Sequence, residues 1–170
     1  MSLTCPVLTT ARAELRPVTA GDAAELHALW TAPGVRRFLW DDEIIPLAQT
    51  VDAIRGSEAL FRDHRFGLWA ARLQGEVPIA GFAGLWPFRD PPEFELLYGM
   101  AEAYWGQGLA VEASRAVLDY CRDALTLTTV RASTDAANTA SVRVLDRLGF
   151  APVRRAVAGG LDTVFYERVG

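Results

Sequence analysis

The chain of 170 residues is poor in cysteine and in histidine, with two of each. Cys5 and Cys121 are too few for a disulfide framework, and His27 and His64 stand at no spacing suited to a metal or a catalytic triad, so no metal is expected. An excess of positive charge is also missing: 17 basic against 21 acidic side chains leave a net charge of −4. A sequence-independent nucleic-acid binder needs a basic face to displace counterions from phosphates, so nucleic acid is not an expected partner. No apolar run reaches the length of a membrane span, and the first residues lack a basic region followed by an apolar stretch. Neither an anchor nor a signal peptide is expected, and with so little cysteine the chain reads as a protein of the reducing cytoplasm.

What the chain does have is apolar material. Hydrophobic residues make up 51% and charged residues 22%, enough for one domain over residues 1–170 with a sizeable core and residues 1–13 as a peripheral tail. Apolar and aromatic runs predict strands over 14–18, 66–73, 77–86, 94–100, 128–134, 152–158 and 163–169. Helical spacing appears over 23–30, 47–63, 109–125 and 139–148. Thr19-Ala20-Gly21-Asp22 supplies caps for the first helix, Pro33-Gly34 ends it, and Gly149 reads as a left-handed cap of the last. Gln74-Gly75-Glu76 suits a tight antiparallel turn, Asp90-Pro91-Pro92 breaks the chain, and Gly159-Gly160 joins the last two strands. Strands alternating with helices, with hairpins at both ends, predict a mixed α/β sheet covered on its faces.

One segment points to a ligand. Tyr104-Trp105-Gly106-Gln107-Gly108-Leu109-Ala110 lies between a predicted strand and the strongest predicted helix. Free amides in a first helical turn, aided by the helix dipole, attract phosphates, and glycines let the ligand approach. Val111 stands where a dinucleotide fingerprint would have its third glycine, and the Lys-Ser/Thr ending of a nucleotide phosphate loop is absent. The plain alternative is an ordinary strand-to-helix turn. Cys121, on the buried face of that helix, is a poor nucleophile.

The segment 104–113 (YWGQGLAVEA) and, at this separation, the segment 138–150 (NTASVRVLDRLGF) together resemble the GNAT superfamily of acyl-CoA-dependent N-acetyltransferases. Glu95-Leu96-Leu97-Tyr98 and Gly34-Val35-Arg36-Arg37-Phe38-Leu39 are similar to its RimJ/RimL branch, and the resemblance runs from about residue 14 to 168. It implies a central mixed, mostly antiparallel sheet of about six to seven strands flanked by about four helices. It also implies acetyl-CoA as cosubstrate, its pyrophosphate on the amides of Trp105, Gly106, Gln107, Gly108, Leu109 and Ala110. The backbone of Leu97, Tyr98 and Met100 would then pair with the pantetheine arm as an added strand. Trp105 departs from the Gln or Arg usual in that loop. Asn138 would contact the pantetheine, although Asn is also an excellent helix N-cap.

Moving an acetyl group from a thioester to an amine needs a neutral amine, a polarised carbonyl and a proton for the departing thiolate. Glu95 is the candidate base, favoured if it is buried or beside another carboxylate such as Glu93; the alternative is a solvated strand carboxylate. A backbone N–H near Leu97 or Tyr98 would hold the thioester oxygen, as the resemblance implies. The Tyr that many superfamily members place four residues before the final Gly-Phe pair is replaced by Leu145. Ser141 is the remaining proton donor, or else a local backbone partner. Trp40 with Asp41-Asp42-Glu43 lies in the stretch the resemblance assigns to the acceptor; carboxylates beside an aromatic suit a cationic amine, and a solvated acidic turn is the rival reading. Trp86, with Phe88 and Arg89, lines the same cleft or belongs to the core. The expectation is direct transfer, in a ternary complex, to a protein N-terminal amine. The alternatives are a small polyamine or aminoglycoside as acceptor, or a non-catalytic acyl-CoA sensor. Exposed aromatics would be compatible with a homodimer.

Overall fold

Side chains that alternate between two apolar faces build the centre of this protein. In the computed structural model, which describes residues 5–89 and 93–170, eight strands form one sheet. The strands are β1 (Leu8–Thr9), β2 (Ala13–Pro17), β3 (Leu68–Leu73), β4 (Gly81–Phe88), β5 (Glu93–Met100), β6 (Thr129–Asp135), β7 (Ala151–Ala158) and β8 (Leu161–Val169). The helices are α1 (Ala23–Thr31), α2 (Pro33–Leu39), α3 (Leu47–His64), α4 (Leu109–Leu125) and α5 (Thr139–Arg147). The spatial order is β1-β2-β3-β4-β5-β6-β8-β7, and β5 with β6 is the parallel pair in an otherwise antiparallel sheet.

Alternate residues of one strand feed two separate cores. On β3, Trp69 and Ala71 pack with α4 and α5, whereas Leu68 and Ala70 pack with α1, α2 and α3. The same division falls on β4, where Ala83 and Leu85 face one way and Phe82 the other. Helix α4 buries Leu109, Ala113, Val117, Leu118 and Cys121, the stripe expected from its spacing. Burial pushes the Cys121 thiol up to about 12, so it is a packing group.

The mixed α/β architecture is the expected one, with one strand and one helix more than expected. Of residues 1–13, positions 1–4 lie outside the described residues; Leu8–Thr9 adds a strand beside β2, and the Trp69 Nε1–H donates to the Pro6 carbonyl at 2.8 Å. Pro33-Gly34 ends α1, as expected, but it also starts α2, because proline is preorganised for a first helical position and lacks an N–H that would need a partner there. The Glu76 N–H bonds the Leu73 carbonyl at 3.0 Å, closing the expected turn, yet β4 starts only at Gly81. Pro78 has no N–H to donate, and the Ile79 N–H donates to Glu25 at 2.9 Å. Gly159 and Gly160, both at positive φ, make the last hairpin turn, and Gly149 at φ +83 closes α5, with the Phe150 N–H donating to Leu145 at 3.0 Å. The break expected at Asp90-Pro91-Pro92 lies outside the described residues. Among the described residues no helix is long and apolar enough to cross a membrane.

Candidate active site

After β5 the chain makes a short turn of 3-10 helix, Glu102–Tyr104, and then two left-handed steps at Gly106 (φ +72) and Gly108 (φ +76), which only glycine takes without strain. Gly108 begins α4 with no side-chain cap. The first intrahelical bond runs from the Glu112 N–H to the Gly108 carbonyl at 3.0 Å, so the amides of Gly108, Leu109, Ala110 and Val111 have no acceptor within the helix. A Cβ on Gly106 would meet nothing within 4 Å, so the loop borders open space. Gln107 donates from its side chain to the Ala103 carbonyl at 3.1 Å, which leaves its backbone at the loop surface.

Two groups outside the glycine motif shape this terminus. Arg12 Nη2 lies 3.7 Å from where a Gly108 Cβ would stand. Its Nε–H donates to Glu112 at 2.7 Å, and Thr10 adds a hydroxyl bond of 2.6 Å to the same carboxylate. Burial works to raise the Glu112 pKa, but these hydrogen bonds and the Arg12 charge hold it below the ordinary value. The Trp105 indole N–H donates to the Met100 carbonyl at 2.8 Å, and a Cβ on Gly34 would come within 2.5 Å of the Trp105 ring. The Gly34 N–H donates to Glu102 at 2.8 Å. Trp105 therefore locks the glycine loop to the end of β5 and to the start of α2.

Strand β5 pairs with β4 from Glu93 to Met100, but with β6 its recorded register is Glu95↔Arg131. Beyond Glu95 the two parallel strands part. Leu97, Tyr98 and Met100 then face the gap along an edge with no ladder partner among the described residues, directly before the glycine loop.

Glu95 sits where the strands part. It is 2% exposed and among the described residues neither carboxylate oxygen accepts a hydrogen bond; Arg89 Nη2, 3.8 Å from Oε2, is too distant for one. The residue lines a cleft of about 260 Å³ together with Glu93, Arg89, Arg131, Arg154 and Phe165. Arg89 pairs with Glu93 at 2.9 Å, and Arg131 pairs with Glu93 at 3.0 Å and with Glu167 at 3.6 Å. Phe165 lies between two guanidinium groups, Arg89 at 4.3 Å and Arg154 at 4.0 Å from its centroid.

The opposite face of β5 carries Tyr98. Its hydroxyl is 2.6 Å from Ser141 Oγ and donates at 3.2 Å to the Ser141 carbonyl. Burial pushes the Tyr98 phenol up to about 12, so it stays protonated. Ser141 in turn donates its N–H to Asn138 Oδ1 at 3.2 Å, which makes Asn138 the N-cap of α5.

The remaining expected acceptor residues are not among those lining this cleft. Trp40 packs on Trp30 at 6.0 Å between centroids, in the core of α1 and α3. Asp41 and Asp42 take positive φ in the turn after α2, Glu43 is exposed, and Asp42 pairs with Arg36 at 3.0 Å. Asp41 does approach the end of β6: burial, and then the Asp41 charge, raise the pKa of Asp135. Trp86 stands opposite Glu95 across the β4–β5 ladder and packs against Gly56 of α3. His27 bonds Thr50 at 2.9 Å and His64 stacks on Phe66. Residues that sequence reasoning passed over are Arg12, Arg131, Arg154, Phe165 and Glu167. None sits in a local motif, and they meet only through strand pairing.

An open helix terminus, a parted sheet edge leading to it and a buried carboxylate at the fork lie together in one α/β domain. The profile described as an acetyltransferase (GNAT) domain matches residues 12–151, and the chain belongs to that family of acetyl-CoA-dependent acetyltransferases. It is 26% identical over 146 residues to the uncharacterised N-acetyltransferase p20 of Bacillus licheniformis, covering 84% of this chain and 81% of that protein. An acetyltransferase of Agrobacterium tumefaciens superposes with a TM-score of 0.86 at 22% identity, over 100% of this chain and 98% of that one. RimL, a ribosomal-protein alpha-N-acetyltransferase solved in complex with coenzyme A, superposes with a TM-score of 0.81 at 17% identity, over 96% and 98%. The last two likenesses are likenesses of fold.

Proposed function

We propose that this acetyltransferase acts on a primary amine, with a protein N-terminal α-amine as the leading acceptor, by direct transfer in a ternary complex. The observation that carries the reading is Glu95, a buried carboxylate with no hydrogen bond among the described residues, placed in a cleft where β5 and β6 part. Acetyl-CoA supplies the acetyl group as a thioester. The free amides from Gly108 to Val111, with Gly106 and Gln107 beside them, suit its pyrophosphate. The open edge of Leu97, Tyr98 and Met100 suits its pantetheine amides, and an N–H on that edge suits the thioester oxygen.

Glu95 takes the proton from the acceptor ammonium, directly or through water, so that the nitrogen lone pair attacks. With its one proton turned from the Ser141 carbonyl to Ser141 Oγ, Tyr98 frees the Ser141 hydroxyl proton for the departing sulfur. The two groups serve opposite faces of β5, with the parted edge between them. No acyl-enzyme is involved: Cys121 is buried and its thiol, pushed up to about 12, holds its proton.

Thiol release tests the reading. All 17 basic residues are arginine, so no lysine of the enzyme competes as an acceptor. Free CoA should appear only when an amine is present, and intact mass should show one acetyl group on the acceptor. Glu95→Gln should lower kcat about a thousandfold with acetyl-CoA affinity unchanged. Calorimetric binding of acetyl-CoA without thiol release across peptide, polyamine and aminoglycoside panels would identify a sensor instead.

A further inference from the structure

The charges of the acceptor cleft do not all cancel within it. Glu93 is held by Arg89 and Arg131, Glu167 has Arg131 at 3.6 Å, and Glu95 has Arg89 at 3.8 Å but accepts no hydrogen bond among the described residues. The lining charge that makes no ion pair among the described residues is Arg154, exposed on β7, whose guanidinium lies over the Phe165 ring at 4.0 Å. A register shift between Pro152 and Arg154 interrupts the β7–β8 ladder, and a bulge at such a point re-aims the side chains beside it. Stacking on the ring fixes the guanidinium plane and leaves its edge donors for a ligand.

We propose that the acceptor is an amine that also carries a carboxylate: the ammonium meets Glu95 and the carboxylate meets the Arg154 fork. This rests on the reading of Glu95 as the acceptor's base. A buried carboxylate whose nearest guanidinium is too far for a hydrogen bond attracts the cation, and a guanidinium at the rim with no ion pair among the described residues selects the anion by paired hydrogen bonds. Polyamines supply only the first half. The chemistry is shared by free amino acids and by peptides whose first or second residue is acidic.

The test measures kcat/KM at saturating acetyl-CoA for matched acceptors: a peptide beginning Ser-Asp against one beginning Ser-Asn, free glutamate against its diamide, and spermidine. The carboxylate member of a pair should win by about tenfold or more. The pair in which it wins tells peptide from free amino acid as the source. Arg154→Ala should erase that ratio through acceptor KM, leaving kcat and the KM for acetyl-CoA unchanged, and Arg154→Lys should restore part of it. Arg154 is exposed on an edge strand, so folding is not at stake. Equal use of carboxylate and amide acceptors, preference for spermidine, or a ratio that survives Arg154→Ala overturns the inference while the acetyltransferase reading stands. Absence of amine-dependent thiol release overturns the Glu95 reading and this inference with it.

Discussion

Helices α4 and α5 both begin at the sheet's parting, and they begin in opposite ways. The first turn of α4 is left open: its N-cap is a glycine at φ +76 with no side chain to offer. The first turn of α5 is closed: Asn138 accepts the Ser141 N–H at 3.2 Å, and Tyr98 occupies both the hydroxyl and the carbonyl of Ser141. An uncapped helix end near the surface costs stability unless water or a ligand satisfies it. The difference shows that the open terminus is available to an external anion, whereas the closed one is spent on holding a side chain in place.

The largest expected effect comes from closing the open end. Gly108→Asp places a carboxylate at the N-cap in a conformation that Asp tolerates, and should weaken acetyl-CoA binding about a hundredfold by calorimetry with little change in Tm. Unchanged affinity would remove the anion seat from this helix.

Opening the closed end should have smaller and different consequences. Folded Tyr98 keeps its proton up to about pH 12, whereas an unfolded tyrosine releases it near the ordinary value of about 10. The folded state therefore binds more protons in that window, and stability present below pH 10 falls as pH rises through it, by about 2–3 kcal/mol. Urea unfolding on both sides of pH 10 should show a shallower decline for Tyr98→Phe than for the wild type; Cys121 titrates in the same direction, so the readout is the difference between the two proteins. Ser141→Ala should lower kcat about tenfold without changing acetyl-CoA affinity, because a thiolate is a fair leaving group unaided. A wild-type rate would exclude Ser141 as donor. Asn138→Ala should cost about 1 kcal/mol of stability in a thermal melt. A concurrent loss of acetyl-CoA affinity would give Asn138 a ligand contact besides its cap.

Much of this was legible locally. The α4 stripe, the two glycines and the Asn-to-Gly-Phe helix each follow from spacing within one element. Pro33 misled because proline both ends one helix and begins the next, and only the seat of Gly34 under Trp105 shows why the chain turns there. The acidic trio is expected to serve an acceptor, since carboxylates beside Trp40 could hold a cation. Folding packs Trp40 partly against the core of α1 to α3 and pairs Asp42 with Arg36, and the cleft at Glu95 is lined by other residues that spacing along the chain does not bring together.

The sequence by itself determined the family, the mixed α/β order and the glycine loop that opens α4, because these depend on residues within one turn or one strand of each other. Tertiary structure decided the cleft at Glu95. Arg131, Arg154 and Phe165 come from three strands and Arg89 from the turn after β4, and they mean nothing until β6, β8 and β7 pair in an order that differs from their order along the chain. It also decided the state of Glu95, since burial and the absence of a hydrogen bond belong to the environment and not to the residue.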